Sequence, residues 1–201
     1  MKYTQVASDA FEKLQLNAGI LLIDFNTTTG AYDEDDILGA TGGGVSFTAA
    51  PSFIDFGEDI DNVPANTMEL KQLDAFEVTL SGTFKTIDNE LGVALCAAAD
   101  SAGNKITPRS VLKSSDFQDI WWVGDYSDVT TGAGACFIAI KVLNALNTGG
   151  FSIQSNDKGK GDFAFEFTGH YSLGDIDVVP FEIYLKEGAE GATSGAEGAT
   201  S

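Results

Sequence analysis

The chain has 201 residues, 43% of them hydrophobic. A globule of this length buries roughly 70% of the surface its unfolded chain exposes, which excludes a chain disordered throughout or one that needs staples to fold. Lys and Arg number 11 against 30 Asp and Glu, and the net charge of -19 repels nucleic-acid phosphates at close range, so ordinary DNA or RNA binding is excluded as well.

The first residues, "MKYTQVASDAFEKLQLNAG", lack an apolar core of signal-peptide length, and "AGILLI" at 18–23 is too short to span a bilayer. A protein kept inside the cell until assembly, with no membrane association, is expected. Asp9 and Glu12 have capping-box spacing, and Phe11 and Leu14 are spaced to share a face, which predicts a short helix over 9–16. "AGILLIDF" follows, continuously apolar like a strand covered on both faces.

"LGATGGGVSF" at 38–47 begins with the spacing of a phosphate-binding loop, Gly39-x-x-x-x-Gly44. Val45 then stands where a lysine must reach the phosphates, and "VSFTA" alternates like a strand instead of opening a helix. A glycine turn feeding a strand is the better reading. Residues 50–74, "APSFIDFGEDIDNVPANTMELKQLD", read as one long connection, of a length that is usually functional or mobile. All four prolines, at 51, 64, 108 and 180, are placed between strand runs.

The clearest strand is 76–86, with Phe76, Val78, Leu80, Gly82 and Phe84 on one face and Glu77, Thr79, Ser81, Thr83 and Lys85 on the other. Asp88 is placed to cap a helix over 89–99 that shows Leu91, Ala94, Leu95 and Ala98 as a stripe. In "IWWVGDY" the adjacent Trp121 and Trp122 must face opposite sides of a strand, so one is core and the other needs a cover. "CFIAIKVL" reads as another buried strand. Residues 163–171 point Phe163, Phe165, Phe167 and Tyr171 inward, with Ala164, Glu166, Thr168 and His170 opposite, and "FEIYL" at 181–185 closes the body. Cys96 and Cys136 lie in apolar runs and look like small buried hydrophobes, although a disulfide between them is left open. "AFEVT" at 75–79 echoes "AFEFT" at 164–168, through duplicated sheets or through shared strand chemistry.

The expected fold class is therefore mainly β, a sandwich or barrel with one packed helix, occupying 1–186. Residues 187–201, which hold two copies of GAEGATS, read as a flexible low-complexity tail. No chemistry gathers along the chain. The acidic runs at 33–36, 55–61 and 174–177 do not match a calcium loop, His170 has no nucleophile beside it, and nothing selects a carboxylate pair. The expectation is a non-enzyme without catalytic residues, cofactor or metal. A carbohydrate- or calcium-binding sandwich module is the alternative from another class.

Taken in order, "EKLQLNAGILLIDF", "ILGATGGGVSFTAAPSFIDFGEDIDN", "FEVTLSGTF", "ITPRSVLKSSDFQDIWWVGDYS", "FIAIKVLNALNTGGFSIQSNDKGKGDFAFEFTGHYS" and "VVPFEIYL" resemble the major tail proteins of long-tailed, non-contractile bacteriophages and prophages over about 11–186. The resemblance implies a tail-tube fold, a β-sandwich with a flanking helix. It further implies self-association into hexameric rings stacked around a tape-measure protein, contacts with tail terminator and distal tail proteins, and a tube that conducts DNA. The place would be the virion tail, assembled in the bacterial cytoplasm. Contractile-tail and type VI secretion tubes share this architecture and form the nearer alternative. The family uses a loop between early strands for contacts between rings, which by position assigns that role to Phe53, Ile54, Asp55, Phe56, Glu58, Asp59, Ile60 and Asp61. Together with the strand faces, it makes Glu77, Lys85, Glu166 and His170 candidates for facing the lumen.

Overall fold

The computed structural model describes residues 10, 14–126 and 136–186. Among these the order is β1 (Gln15–Leu22), β2 (Thr41–Asp55), β3 (Lys71–Phe84), α1 (Asn89–Leu95), β4 (Ala99–Ala102), β5 (Lys105–Pro108), β6 (Gln118–Tyr126), β7 (Phe137–Asn147), β8 (Phe163–Thr168) and β9 (Phe181–Lys186). The fold is mainly β with a single packed α-helix and two sheets. The larger sheet runs β1-β6-β7-β8-β3-β2, with β9 added on β7, and the smaller is the β4–β5 hairpin. Among the described residues neither sheet is shown to close into a barrel.

β7 is where the large sheet divides. Its first half, Phe137–Val142, pairs with β9, while Leu146 and Asn147 pair with β8. Between them Asn144 takes φ 48°, a left-handed conformation that Asn tolerates better than most residues. Asp119 Oδ1 accepts from the Asn144 amide at 3.0 Å, and Asn144 Nδ2 donates to the His170 carbonyl at 3.1 Å, so the bend is tied from both sides. The two arms of the sheet enclose one core. Leu21, Ile120 and Val142 from one arm meet Val78, Leu80, Phe84, Phe163, Phe165 and Phe167 from the other, and Leu91 and Leu95 of α1 close it.

The period-two faces of 76–84 and 163–167 are as expected, because each strand has a dry side and a wet side. Trp121 and Trp122 do face opposite ways. Trp122 packs against the main core, whereas Trp121 is buried in a second cluster with Leu22, Phe25, Phe137 and Ala139. Phe25 is the cover, lying 5.8 Å from Trp121 and edge-on to Phe137 at 5.0 Å. β1 makes room for Trp122 with a bulge between Leu16 and Ile20. Gly19 there has φ 71°, and a Cβ would lie 2.5 Å from the indole nitrogen, which donates to the Ala18 carbonyl at 2.9 Å.

Several expectations need correction. Gln15 and Leu16 of the expected 9–16 helix belong to β1, where they pair with Tyr126 and Asp125; residues 9 and 11–13 lie outside the described residues, as does the repeat tail at 187–201. Asp88 caps α1 as expected, accepting from the Leu91 amide at 2.8 Å. The helix ends at Leu95 rather than 99, because Ala97 turns to φ 61° and Ala99 starts β4. Two prolines are not between strands. Pro51 sits inside β2, an edge strand where its missing N–H breaks no ladder, and Pro108 is the last residue of β5. Tyr171 lies beyond β8, half-exposed, its hydroxyl accepting from the Phe76 amide at 2.8 Å. Both cysteines are free thiols; Cys136 is buried, and burial pushes the Cys96 thiol up. The two echoing segments are neighbouring strands of one sheet, with Thr79 opposite Thr168, so the likeness is one of shared strand chemistry.

The glycine-rich stretch is not the turn ahead of a strand either. It lies inside β2, where pairing shifts between Thr41↔Phe84 and Val45↔Gly82, a bulge with Gly43 at φ 84° and Gly44 at φ 88°. No helix follows it, so the phosphate-loop reading fails in the structure as it did in the sequence.

Candidate functional site

Two surfaces stand out, and the β2–β3 hairpin supplies part of each. Pairing runs from Thr41↔Phe84 to Asp55↔Lys71, so residues 50–55 and 71–74 of the supposed long connection are strand, and only 56–70 joins them. Both ends of this segment are therefore paired strand within the single chain. Alternation gave no warning, because this part of the hairpin is exposed on both faces and has no dry side to record in the sequence.

The arm keeps apolar side chains in water. Phe53, Ile54, Phe56 and Ile60 are 41–56% exposed, and Met68 is 79% exposed. Glu58, Asp59 and Asp61 stand exposed around them. Asp55 is different, for it organises the loop: Oδ1 accepts from the Gly57 amide at 2.9 Å and Oδ2 from the Asn66 amide at 2.7 Å. Lys71 donates to Asn66 Oδ1 at 3.2 Å and lies 5.0 Å from the centre of the Phe53 ring.

The Asn66 amide first, then that of Gly57, hold the Asp55 carboxyl below its ordinary value. A depressed carboxyl contributes stability that is present above its unfolded-state pKa and is lost as pH falls through the folded-state one. In an acid titration followed by amide chemical shifts, Gly57 and Asn66 are expected to move together, with a midpoint below the ordinary aspartate range. A midpoint at the ordinary value, or shifts confined to one amide, would count against this double cap.

The second surface is the outer face of β2, β3 and β8. Its cross-strand rows are Ser46–Ser81–Glu166, Thr48–Thr79–Thr168 and Ala50–Glu77, with Thr83 opposite Ala164. The Thr148 and Thr168 hydroxyls bond at 2.7 Å along one margin. The named rows are made of small hydroxyl and methyl side chains with two exposed carboxylates, Glu77 and Glu166, and hold no cation; the Lys85–Asp162 pair lies at their end.

Of the other two lumen candidates, Lys85 lies at the end of this face and His170 off it. Lys85 follows β3, lies against Gly42 and is paired with Asp162. His170 is not on the β8 face, since that strand ends at Thr168. Its ring packs edge-on against Phe117 at 5.2 Å, and Nδ1 lies 3.1 Å from the Asn144 carbonyl. It belongs to the bend of β7, which the alternation pattern could not reveal.

A cleft of about 460 Å³ opens beside α1, with Ile120, Leu146 and Phe167 at its floor and Asn89, Glu90 and Gln118 at its rim. At its edge Asp116 bonds Arg109 Nη2 at 2.5 Å, and Arg109 Nε lies 2.9 Å from Asp100. Burial raises the Asp116 carboxyl, but the Lys113 amide and Arg109 together outweigh it and leave it depressed. Among the described residues no group of three or more His, Cys, Asp or Glu is placed to hold a metal ion.

Compared with known proteins, the chain matches no family model and no curated sequence.

Proposed function

We propose that this chain is a structural subunit of a phage-type, non-contractile tail tube, self-assembling as stacked rings whose channel passes DNA. The observation that carries this reading is the outer face of β2, β3 and β8: a broad, smooth, hydroxyl- and carboxylate-bearing surface whose one cation, Lys85 at its end, is neutralised by Asp162. Affinity for nucleic acid comes chiefly from Lys and Arg neutralising phosphates, so such a wall lets a duplex pass without holding it. Glu77 and Glu166 are the lumen residues of choice.

The apolar arm supplies the other requirement, a projection that water alone does not satisfy. It serves as the contact between successive rings, with the tape-measure protein inside the tube and terminator and distal tail proteins at its ends. Its place is the tail of a particle assembled in bacterial cytoplasm. The test is negative-stain microscopy of the purified full chain at rising concentration. Rings or tubes with a central channel are expected. Persistent monomers at every concentration would overturn the reading, and sugar binding by those monomers would establish a binding module in its place.

A further inference from the structure

We infer that the lysine-bearing loop at 151–162 is the acceptor for the arm of a second copy of this chain, which docks on it head to tail. This rests on the tube reading and names the surface that reading leaves open.

The loop is a hairpin of its own, closed by the Gln154 and Asp162 backbones, each donating to the other's carbonyl at 2.8 Å. Phe151 and Ile153 are 47% and 59% exposed on it. Lys158 stands at φ 58° beside its turn, two residues from Lys160. Most cations of this acidic chain are engaged by their own surface: Lys85 by Asp162, Arg109 by Asp100 and Asp116, Lys113 by Asp100, and Lys141 by Asp119. Lys71 and Lys186 are likewise bonded, to Asn66 and to the Thr28 carbonyl. Lys105, Lys158 and Lys160 alone among the described cations have no partner, and two of these three share this loop. In a chain of net charge -19, two unpaired lysines separated by one glycine, beside two exposed apolar side chains and one exposed carboxylate, Asp157, suit an acidic, apolar partner.

The arm has that chemistry, with Phe56 and Ile60 exposed between Asp59 and Asp61. It cannot reach the loop of its own chain. Asp162 pairs with Lys85 beside Gly42, at the start of β2, whereas the arm begins at the other end of that 15-residue strand. At about 3.3 Å per residue the two lie on the order of 45 Å apart. Complementary patches at opposite ends of one subunit make a heterologous contact, which propagates along a line instead of closing into a dimer.

The test uses the full chain and charge reversal. Lys158→Glu with Lys160→Glu is expected to reduce the stacked fraction about tenfold at fixed protein concentration in low salt, and Asp59→Lys with Asp61→Lys to do the same. The variant carrying all four changes is expected to recover to within about twofold of the unmodified chain. Thermal melts of each variant check that the body still folds, as these exposed positions should allow. Unchanged stacking in both double variants, or no recovery in the combined one, overturns the contact while leaving the tube reading intact. Failure of the unmodified chain to form rings or tubes refutes both.

Discussion

Phe84→Ala is expected to destabilise the fold by about 4 kcal/mol, within the range for emptying a fully buried aromatic position. Phe84 has no solvent exposure, ends β3, and packs its ring 4.5 Å from that of Phe165. It also abuts Gly39, so the cavity would open where the approach to β2, β3, β8 and α1 meet. None of these can close the gap alone without dragging a paired strand. For a chain of this size the loss corresponds to a fall in Tm of about 10 °C. Thermal or denaturant unfolding measures it, and a change below about 1.5 kcal/mol would mean that the core collapses around the site far more readily than its packing implies.

Asn147→Leu is expected to cost about 3 kcal/mol, although leucine has the same branching and the same number of side-chain heavy atoms. Among the described residues Asn147 is the one buried polar residue, 2% exposed. Its Oδ1 accepts from the Glu166 amide at 2.9 Å, while Nδ2 donates to the Leu95 carbonyl at 2.6 Å and to the Gly150 carbonyl at 3.1 Å. The Leu95 carbonyl belongs to the last turn of α1 and has no successor in the helix to bond. Leucine would strand it together with the Glu166 amide. Asn147→Asp should be no rescue, because a carboxylate accepts but cannot donate to two carbonyls. Beyond lost stability, hydrogen exchange should accelerate at the end of α1 and at 148–150, the entry to the lysine loop. Loss confined to global stability, with no local acceleration, would show that Asn147 does not couple helix to loop.

The dry faces of β3 and β8 were legible to the residue, because each strand has one side on the core and the alternation records it. The Asp88 cap was legible for a similar reason, since the interaction spans three residues. The helix end was not: nothing in "ALCAAA" announces that Ala97 will turn left-handed and release Ala99 to pair with Pro108. His170 was misplaced because alternation continued past Thr168, while the bonds that fix it come from Asn144, far along the chain. Neither the arm's strand ends nor the isolation of Lys158 and Lys160 could be read from residue order, since one needs the β2–β3 register and the other needs every remaining cation's partner.

The sequence by itself determined a mainly β body, the dry faces of β3 and β8, its helix cap, and a strongly acidic charge balance. These follow from local periodicity and summed charge, which are properties of order and composition. The tertiary structure alone decided that β7 bends to share its flank between β9 and β8, that Phe25 is the cover for Trp121, that an apolar arm projects at one end, and that two unpaired lysines lie at the other. Each depends on which distant residues meet, and long-range pairing is fixed by the packing of the whole chain around one core.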